Sequence, residues 1–349
     1  MLARATRGIE PLLADEIRPI GVVTHVRHRE VWFRVREPGP HVLRLRTADD
    51  VFVLAAVADG VGPSKACLPR LAAAVRATDL EELRDLRGRC GGGPEVTGVD
   101  VSASFLGRRA YTRFDVEDAV GAEVARALGV RYHPRRGGGV PPAGTMSWRV
   151  TVEGERATLA VRIAARPLHR RPYKQASVPG TLHPPVAAAM ARLALLDGAR
   201  TVLDPCCGAG TLLVEASAIA ARARLVGLDR DPDAVRAAAR NGSPGIAWAV
   251  ADAGRLPLPG ASVERVLVNP PWRRQVAASG TLLRGDRPLW RELGRVLAPG
   301  GRVVALVHEP GARPRLADLA AEAGLTVRRT IEVSLSGAHP LIAVLTPSP

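Results

Sequence analysis

From Pro185 onward, apolar runs at Thr201–Asp204, Leu225–Asp229, Val263–Val268 and Val303–Val307 alternate with Ala-rich helical stretches. No other feature of the 349-residue chain constrains its fold as strongly. Strands separated by helix-length segments cannot pair as tight hairpins. Each returns over one face of the sheet and lies parallel to its predecessor, which gives a doubly wound parallel sheet. The final pair, Thr326–Leu335 and Leu341–Leu345, is separated only by Ser336-Gly337-Ala338-His339-Pro340 and is expected to close as a hairpin adding an antiparallel edge. Composition suits this packing: 46% of residues are apolar but only 3% are aromatic, so Ala, Val, Leu and Gly carry the core.

The first 180 residues read differently. Residues 1–60 offer a short strand, a helix beginning near Gly8 with Ile9, Leu12, Leu13 and Ile17 on one face, and paired strands at Val22–His28 and Val31–Arg36. A short helix at Val42–Arg46 and a strand at Val51–Val57 complete a ferredoxin-like order, β-α-β-β-α-β. Residues 61–165 read as a second unit. It has helices at Leu68–Ala77, Leu80–Leu86 and Val116–Leu128, strands at Val99–Phe105, Ser147–Val152 and Thr158–Ile163, and a basic loop at Arg135-Arg136-Gly137-Gly138-Gly139. Residues 166–180, proline-rich, form a linker to a last domain over 181–349.

Charge narrows the partner. The formal net charge is +15, and only Lys65 and Lys174 are lysines among 49 basic residues. A GC-rich genome accounts for arginine in place of lysine, but not for an excess over acids. From Val101 to Gly180 there are 13 Arg and one Lys against six acids, a surplus of eight in under a quarter of the chain. Clustered cations of this kind suit a polyanion, because neutralising phosphates releases counterions. Arg108, Arg109, Arg113, Arg135, Arg136, Arg149, Arg170, Arg171 and Lys174 are the candidate nucleic-acid contacts. No apolar run reaches the ~20 residues that span a bilayer, and the four cysteines (Cys67, Cys90, Cys206, Cys207) form no C-x-x-C pair. A soluble cytoplasmic protein without a metal site is expected, with no obligate protein partner evident and a monomer compatible.

Three strand ends carry the chemistry. Asp204-Pro205-Cys206-Cys207-Gly208-Ala209-Gly210-Thr211 stands at a strand end and opens a helix, where glycines let the backbone approach a ligand. The spacing lacks the third glycine of a dinucleotide fingerprint, and no Walker lysine follows. Asp229, about 20 residues on, is placed to bind a ribose diol. Asp252, after the strand at Ile246–Val250, is placed for an adenine amino group, while Asp231 reads as a helix N-cap. At the end of the fourth strand stands Asn269-Pro270-Pro271-Trp272. Two prolines fix an extended turn. The turn leaves the Asn269 side chain and the Pro270 carbonyl as acceptors for an exocyclic amino group, with Trp272 as a stacking face. An ordinary Pro-Pro turn with a half-buried Trp is the bland alternative, and lone His183 and His308 read as packing or capping residues.

These motifs resemble those of class I amino-methyltransferases, with their N-P-P-aromatic signature. Phe114-Asp115-Val116, Val120–Leu128, Trp148-Arg149-Val150-Thr151-Val152 and Leu168-His169-Arg170-Arg171-Pro172-Tyr173-Lys174 resemble a THUMP RNA-binding domain and its exit linker. Thr6-Arg7-Gly8-Ile9-Glu10-Pro11-Leu12-Leu13 is similar to the ferredoxin-like unit that precedes THUMP. The resemblance spans essentially the whole chain. It implies a THUMP-domain RNA guanine-N2 methyltransferase, nearest the enzymes of the acceptor-stem guanosine at tRNA position 6. The implied fold is α/β: a ferredoxin-like unit plus THUMP, then a Rossmann-like methyltransferase with a seven-stranded, mostly parallel sheet. The implied cofactor is S-adenosylmethionine, held by Thr181, Asp204, Gly208, Gly210, Thr211, Asp229, Arg230, Asp252, Ala253 and Asn269. Asn269, Pro270 and Trp272 would be catalytic. Arg273 departs from the glycine common at that position.

Ribosomal RNA is the nearest rival substrate, and a catalytically silent RNA-binding protein is the rival of another class. DNA adenine or protein glutamine would also fit N-P-P-aromatic, but the basic region argues against them. A 5-methylcytosine enzyme would need a cysteine near the fourth or sixth strand, and a thiouridine synthetase would need an S-G-G-x-D-S loop; neither is present.

Overall fold

The computed structural model describes residues 1–93, 95–272, 280–308 and 312–349. Its contacts divide the chain into two units. Met1–Arg4 and Ala14–Leu168 make the first, Ala5–Leu13 and His169–Pro349 the second.

The first unit is built on one eight-stranded sheet. Its elements in chain order are β1 (Leu2–Arg4), α1 (Glu10–Ile17, in which the division falls), β2 (Gly21–Arg27), β3 (Glu30–Val35), β4 (Asp50–Ala58), α2 (Pro69–Arg76) and α3 (Leu80–Arg89). β5 (Gly98–Phe105), α4 (Arg113–Leu128), β6 (Arg131–Tyr132), β7 (Thr145–Glu153) and β8 (Arg156–Arg162) follow. The strand order is β2-β3-β1-β4-β8-β7-β5-β6. The first four strands keep the ferredoxin-like order, but the second helix of that pattern shrinks to a 3-10 turn at Pro40–Arg44, where Pro40 opens the turn and five residues cannot sustain an α-helix. Antiparallel pairing of β4 with β8, Phe52 opposite Arg162, runs strands from residues 1–60 and 61–165 into a single sheet.

Alternation along β7 explains how this sheet is used. Met146, Trp148, Val150 and Val152 are buried, and the residues between them carry polar groups to the other face. There Arg162 bonds Asp50 at 2.6 Å, Arg4 bonds Glu30 at 3.2 Å, and Arg135 bonds Asp100. α4 is fixed at both ends, by a capping box between Thr112 and Asp115 and by Gly129 in the left-handed conformation.

The second unit contains α5 (Pro184–Leu193), β9 (Thr201–Asp204), α6 (Thr211–Ser217), β10 (Arg224–Asp229), α7 (Pro232–Asn241), β11 (Ile246–Val250), β12 (Val263–Val268) and α8 (Arg287–Val296). It closes with β13 (Leu297–Val307), α9 (Ala312–Glu322), β14 (Leu325–Glu332) and β15 (Leu341–Pro347). The seven strands lie in the order β11-β10-β9-β12-β13-β15-β14. β9 to β13 are mutually parallel, and β15 runs against both of its neighbours. The closing hairpin therefore forms as the short connection requires, with its second strand inserted beside β13 and its first left at the edge. Strand order reverses between β9 and β12, which opens a crevice at their carboxyl ends.

Candidate active site

That crevice is a cavity of about 710 Å³, enclosed by the ends of β9, β10 and β12 and by the segment leading into α5. Asp204, Asp229, Asn269 and Trp272 line it, as do Gly208, Thr211, Arg230, Asp252, Ala253, Thr181 and Pro270. Residues from four strand ends and from the segment before α5 thus meet at one place.

Gly208 (φ +51°) and Gly210 (φ +80°) both need the left-handed region. Their work differs. Gly208 sits on the cavity wall and donates its N–H to Asp229 Oδ2 at 2.8 Å. Gly210 is not part of that wall. A Cβ there would come within 2.7 Å of Trp248, so the second glycine admits an indole from β11 behind the turn.

The carboxylates are also held differently. Asp229 accepts from Gly208 and from Asp231 N at 3.0 Å, which aims the group at the cavity. Asp231 itself caps α7, accepting from Asp233 N at 2.8 Å. Asp204 is 1% exposed, and burial, reinforced by the Asp229 charge, pushes its carboxyl well above the usual range. Burial alone would also raise Asp252, but hydrogen bonds from Thr281 and Gly254 and the nearby Arg230 outweigh it and hold the group below its ordinary value. The Asp252 carboxylate is thus already engaged, by Thr281 N at 3.1 Å and Gly254 N at 2.9 Å. Burial raises both thiols of Cys206 and Cys207, so neither is a thiolate near neutral pH.

Asn269 and Trp272 have the opposite character. Asn269 Oδ1 and Trp272 Nε1 are buried and, among the described residues, have no hydrogen-bond partner. An unmade hydrogen bond at a buried polar atom costs roughly 1–3 kcal/mol, so each of these two atoms calls for a partner from solvent or a ligand. His308, at the end of β13, stacks on the Trp272 ring with centroids 4.8 Å apart and planes tilted by 34°. Arg273 lies outside the described residues.

The basic residues separate into two sets. Arg108, Arg113, Arg136 and Arg170 are exposed. Arg113 and Arg136 flank the Phe114 ring at 4.7 and 5.2 Å. Three others, read from sequence as nucleic-acid contacts, turn inward, where backbone carbonyls and side-chain acceptors take some of their N–H groups, while Arg109 Nε and Arg149 Nε have no partner among the described residues. Arg109 bonds the carbonyls of Val61 and Gly154 and the Tyr111 hydroxyl. Arg149 donates to Ser104, and burial pushes it down to about 10. Arg171 pairs with Glu215, which is fully buried on α6. Arg135 is half-buried on Asp100. Lys174 faces the cavity, where burial lowers it.

Sequence reasoning passed over Glu215, Asn241, Trp248 and Thr281. Asn241 had a signal. It continues the buried stripe Ala234, Ala237, Ala238 at i+7, a polar residue on the apolar face of α7.

The chain is 34% identical over 260 residues to the tRNA (guanine(6)-N2)-methyltransferase of Thermus thermophilus, across 72% of this chain and 74% of that one. The chain belongs to the RNA (guanine-N2)-methyltransferase family. Residues 171–340 match the RMKL-like methyltransferase domain model. The crystal structure of TrmN from Thermus thermophilus superposes with a TM-score of 0.76 at 30% identity, covering 99% of this chain and 98% of that one. A methyltransferase complexed with SAH shares the fold, with a TM-score of 0.72 at 15% identity over 100% of this chain and 97% of that one. The enzyme uses S-adenosylmethionine, and the cavity fits it: an aimed Asp229, a glycine wall at Gly208 and an unsatisfied acceptor at Asn269.

Proposed function

We propose that this enzyme methylates the exocyclic N2 of a guanosine in cytoplasmic tRNA, in the acceptor stem at position 6. The observation that carries the reading is that Asn269 lines the cavity and its Oδ1 is buried with no partner among the described residues. An amide oxygen with a free lone pair at a strand end is suited to accept a hydrogen bond from the N–H of an aromatic –NH2. With its N–H held this way, the nitrogen lone pair turns out of the base plane toward the cofactor. S-adenosylmethionine supplies an electrophilic methyl. Asn269 and the Pro270 carbonyl orient the nucleophile, and Trp272, backed by His308, offers a stacking surface to a base flipped from the stem. The reaction needs no metal and no covalent enzyme intermediate.

The first unit would act as a THUMP-type module that holds the RNA by shape and backbone, with Arg108, Arg113 and Arg136 as its exposed cations. Ribosomal RNA is the second reading, favoured by the match to the RMKL-like domain. The test is to label unmodified tRNA and, separately, ribosomal RNA with tritiated S-adenosylmethionine and analyse the nucleosides. N2-methylguanosine in tRNA is the expected product. Label confined to ribosomal RNA would replace the substrate, and label in another nucleoside would overturn the base assignment.

A further inference from the structure

The linker residues after Leu168 form a strap within the second unit, and a residue outside the cavity joins that strap to the glycine turn. Asn241, the last residue of α7, is 3% exposed. Its Oδ1 accepts from Gln175 N at 2.9 Å and Ala176 N at 2.8 Å. Its Nδ2 donates to Ala176 O at 2.8 Å and to Ala209 O at 2.9 Å. Two N–H donors on one side and two carbonyls on the other fix the amide orientation and use its full bonding capacity.

Where those bonds land gives them meaning. Lys174 and Val178 flank the latched residues and line the cavity, while Gln175 and Ala176 do not. Ala209 belongs to the turn between Gly208 and Gly210 and also lines the cavity. One carboxamide therefore reaches two walls of the cofactor site from behind. The strap has a second anchor at Glu215, where Tyr173 bonds Oε1 at 2.7 Å and Arg171 Nε bonds the same oxygen at 3.1 Å. That anchor touches α6 rather than the glycine turn.

We propose that Asn241 is a positioning residue of the cofactor site, whose carboxamide makes the strap and the glycine turn move as one body. The inference rests on the cavity being the S-adenosylmethionine site, and SAH binding by the wild-type enzyme reports on that separately. Cofactor contact with the turn would then order the strap, and a displaced strap would weaken cofactor binding. A chain that bound the cofactor through the turn alone would show neither effect.

Asn241→Asp is the sharpest variant, because it is isosteric, keeps the acceptor for Gln175 and Ala176, and sets an acceptor against Ala209 O. SAH affinity is measured by calorimetry, and steady-state kinetics with tRNA separate the cofactor KM from kcat. We expect SAH to bind about tenfold or more weakly, with the cofactor KM raised in proportion and kcat kept within about threefold. Tyr173→Phe, which removes one of the two bonds of the other anchor, should lower thermal stability and leave SAH affinity within about twofold. Unchanged SAH affinity in folded Asn241→Asp would overturn the proposal, as would equal losses in both variants. Should Asn241→Asp not fold, hydrogen exchange on the wild-type enzyme decides. Slower exchange of the Gln175 and Ala176 amides with SAH supports the latch, and exchange indifferent to SAH refutes it.

Discussion

The polar face of the first sheet and the cavity of the second unit treat polar atoms in opposite ways. On the sheet, cations are spent internally: Arg162 on Asp50, Arg4 on Glu30, Arg135 on Asp100. In the cavity, acceptors are held in place and then left short of partners, as at Asn269 Oδ1. Removing one member of such a pair leaves the other uncompensated, although Arg149 Nε on the same sheet is buried without a partner among the described residues. In the proposed mechanism the cavity keeps the vacancy for the substrate to fill. The number of arginines is thus a weaker guide to RNA contact than the number of arginines with nothing inside the protein to bond.

The comparison can be broken most severely at Asn269. Asn269→Ala should slow single-turnover methyl transfer by about 10³-fold, on the scale of losing a positioned polar group in a reacting site, while calorimetry finds SAH affinity within a few-fold. Next comes the spent carboxylate. Asp100→Asn leaves Arg135 and Ser147 without their charged acceptor, and denaturant unfolding should show a loss of about 1.5–3 kcal/mol, with the cofactor site intact. Asp229→Ala removes an aimed, charge-assisted acceptor and should weaken SAH roughly tenfold or more. The smallest effect belongs to the exposed set. Arg108→Ala should leave thermal stability unchanged and reduce the salt slope of RNA binding by about one. Arg109→Ala should do the reverse, lowering stability through the lost bonds to Val61 and Gly154. If both arginine variants behaved alike, the division into spent and unspent cations would fail.

Sequence spacing carried the second unit well because parallel α/β topology writes itself locally. Each strand end, from Asp204 to Asn269, delivers its residue to the same crevice once the strands are parallel. Gly208 was legible for the same reason. Gly210 was legible as a glycine but not as the seat of Trp248, since that contact comes from β11, some 38 residues away in the chain. The basic region was legible only as a total. Whether Arg109 or Arg108 faces solvent depends on the carbonyls of Val61 and Gly154, brought close by pairing in the sheet, and no local pattern reports that. Asp252 is a third kind of case: its position was readable, but its engagement by Thr281 was not, because that partner arrives from a segment after β12.

The central claim is that Asn269 accepts from the exocyclic amino group of guanine. It is tested most directly by changing the RNA and leaving the protein alone. A tRNA transcript carrying inosine in place of the methylated guanosine lacks only that amino group. The account predicts unchanged RNA binding and no methyl transfer at that nucleotide. Methylation of the inosine transcript at a rate near that of the guanosine transcript would contradict it.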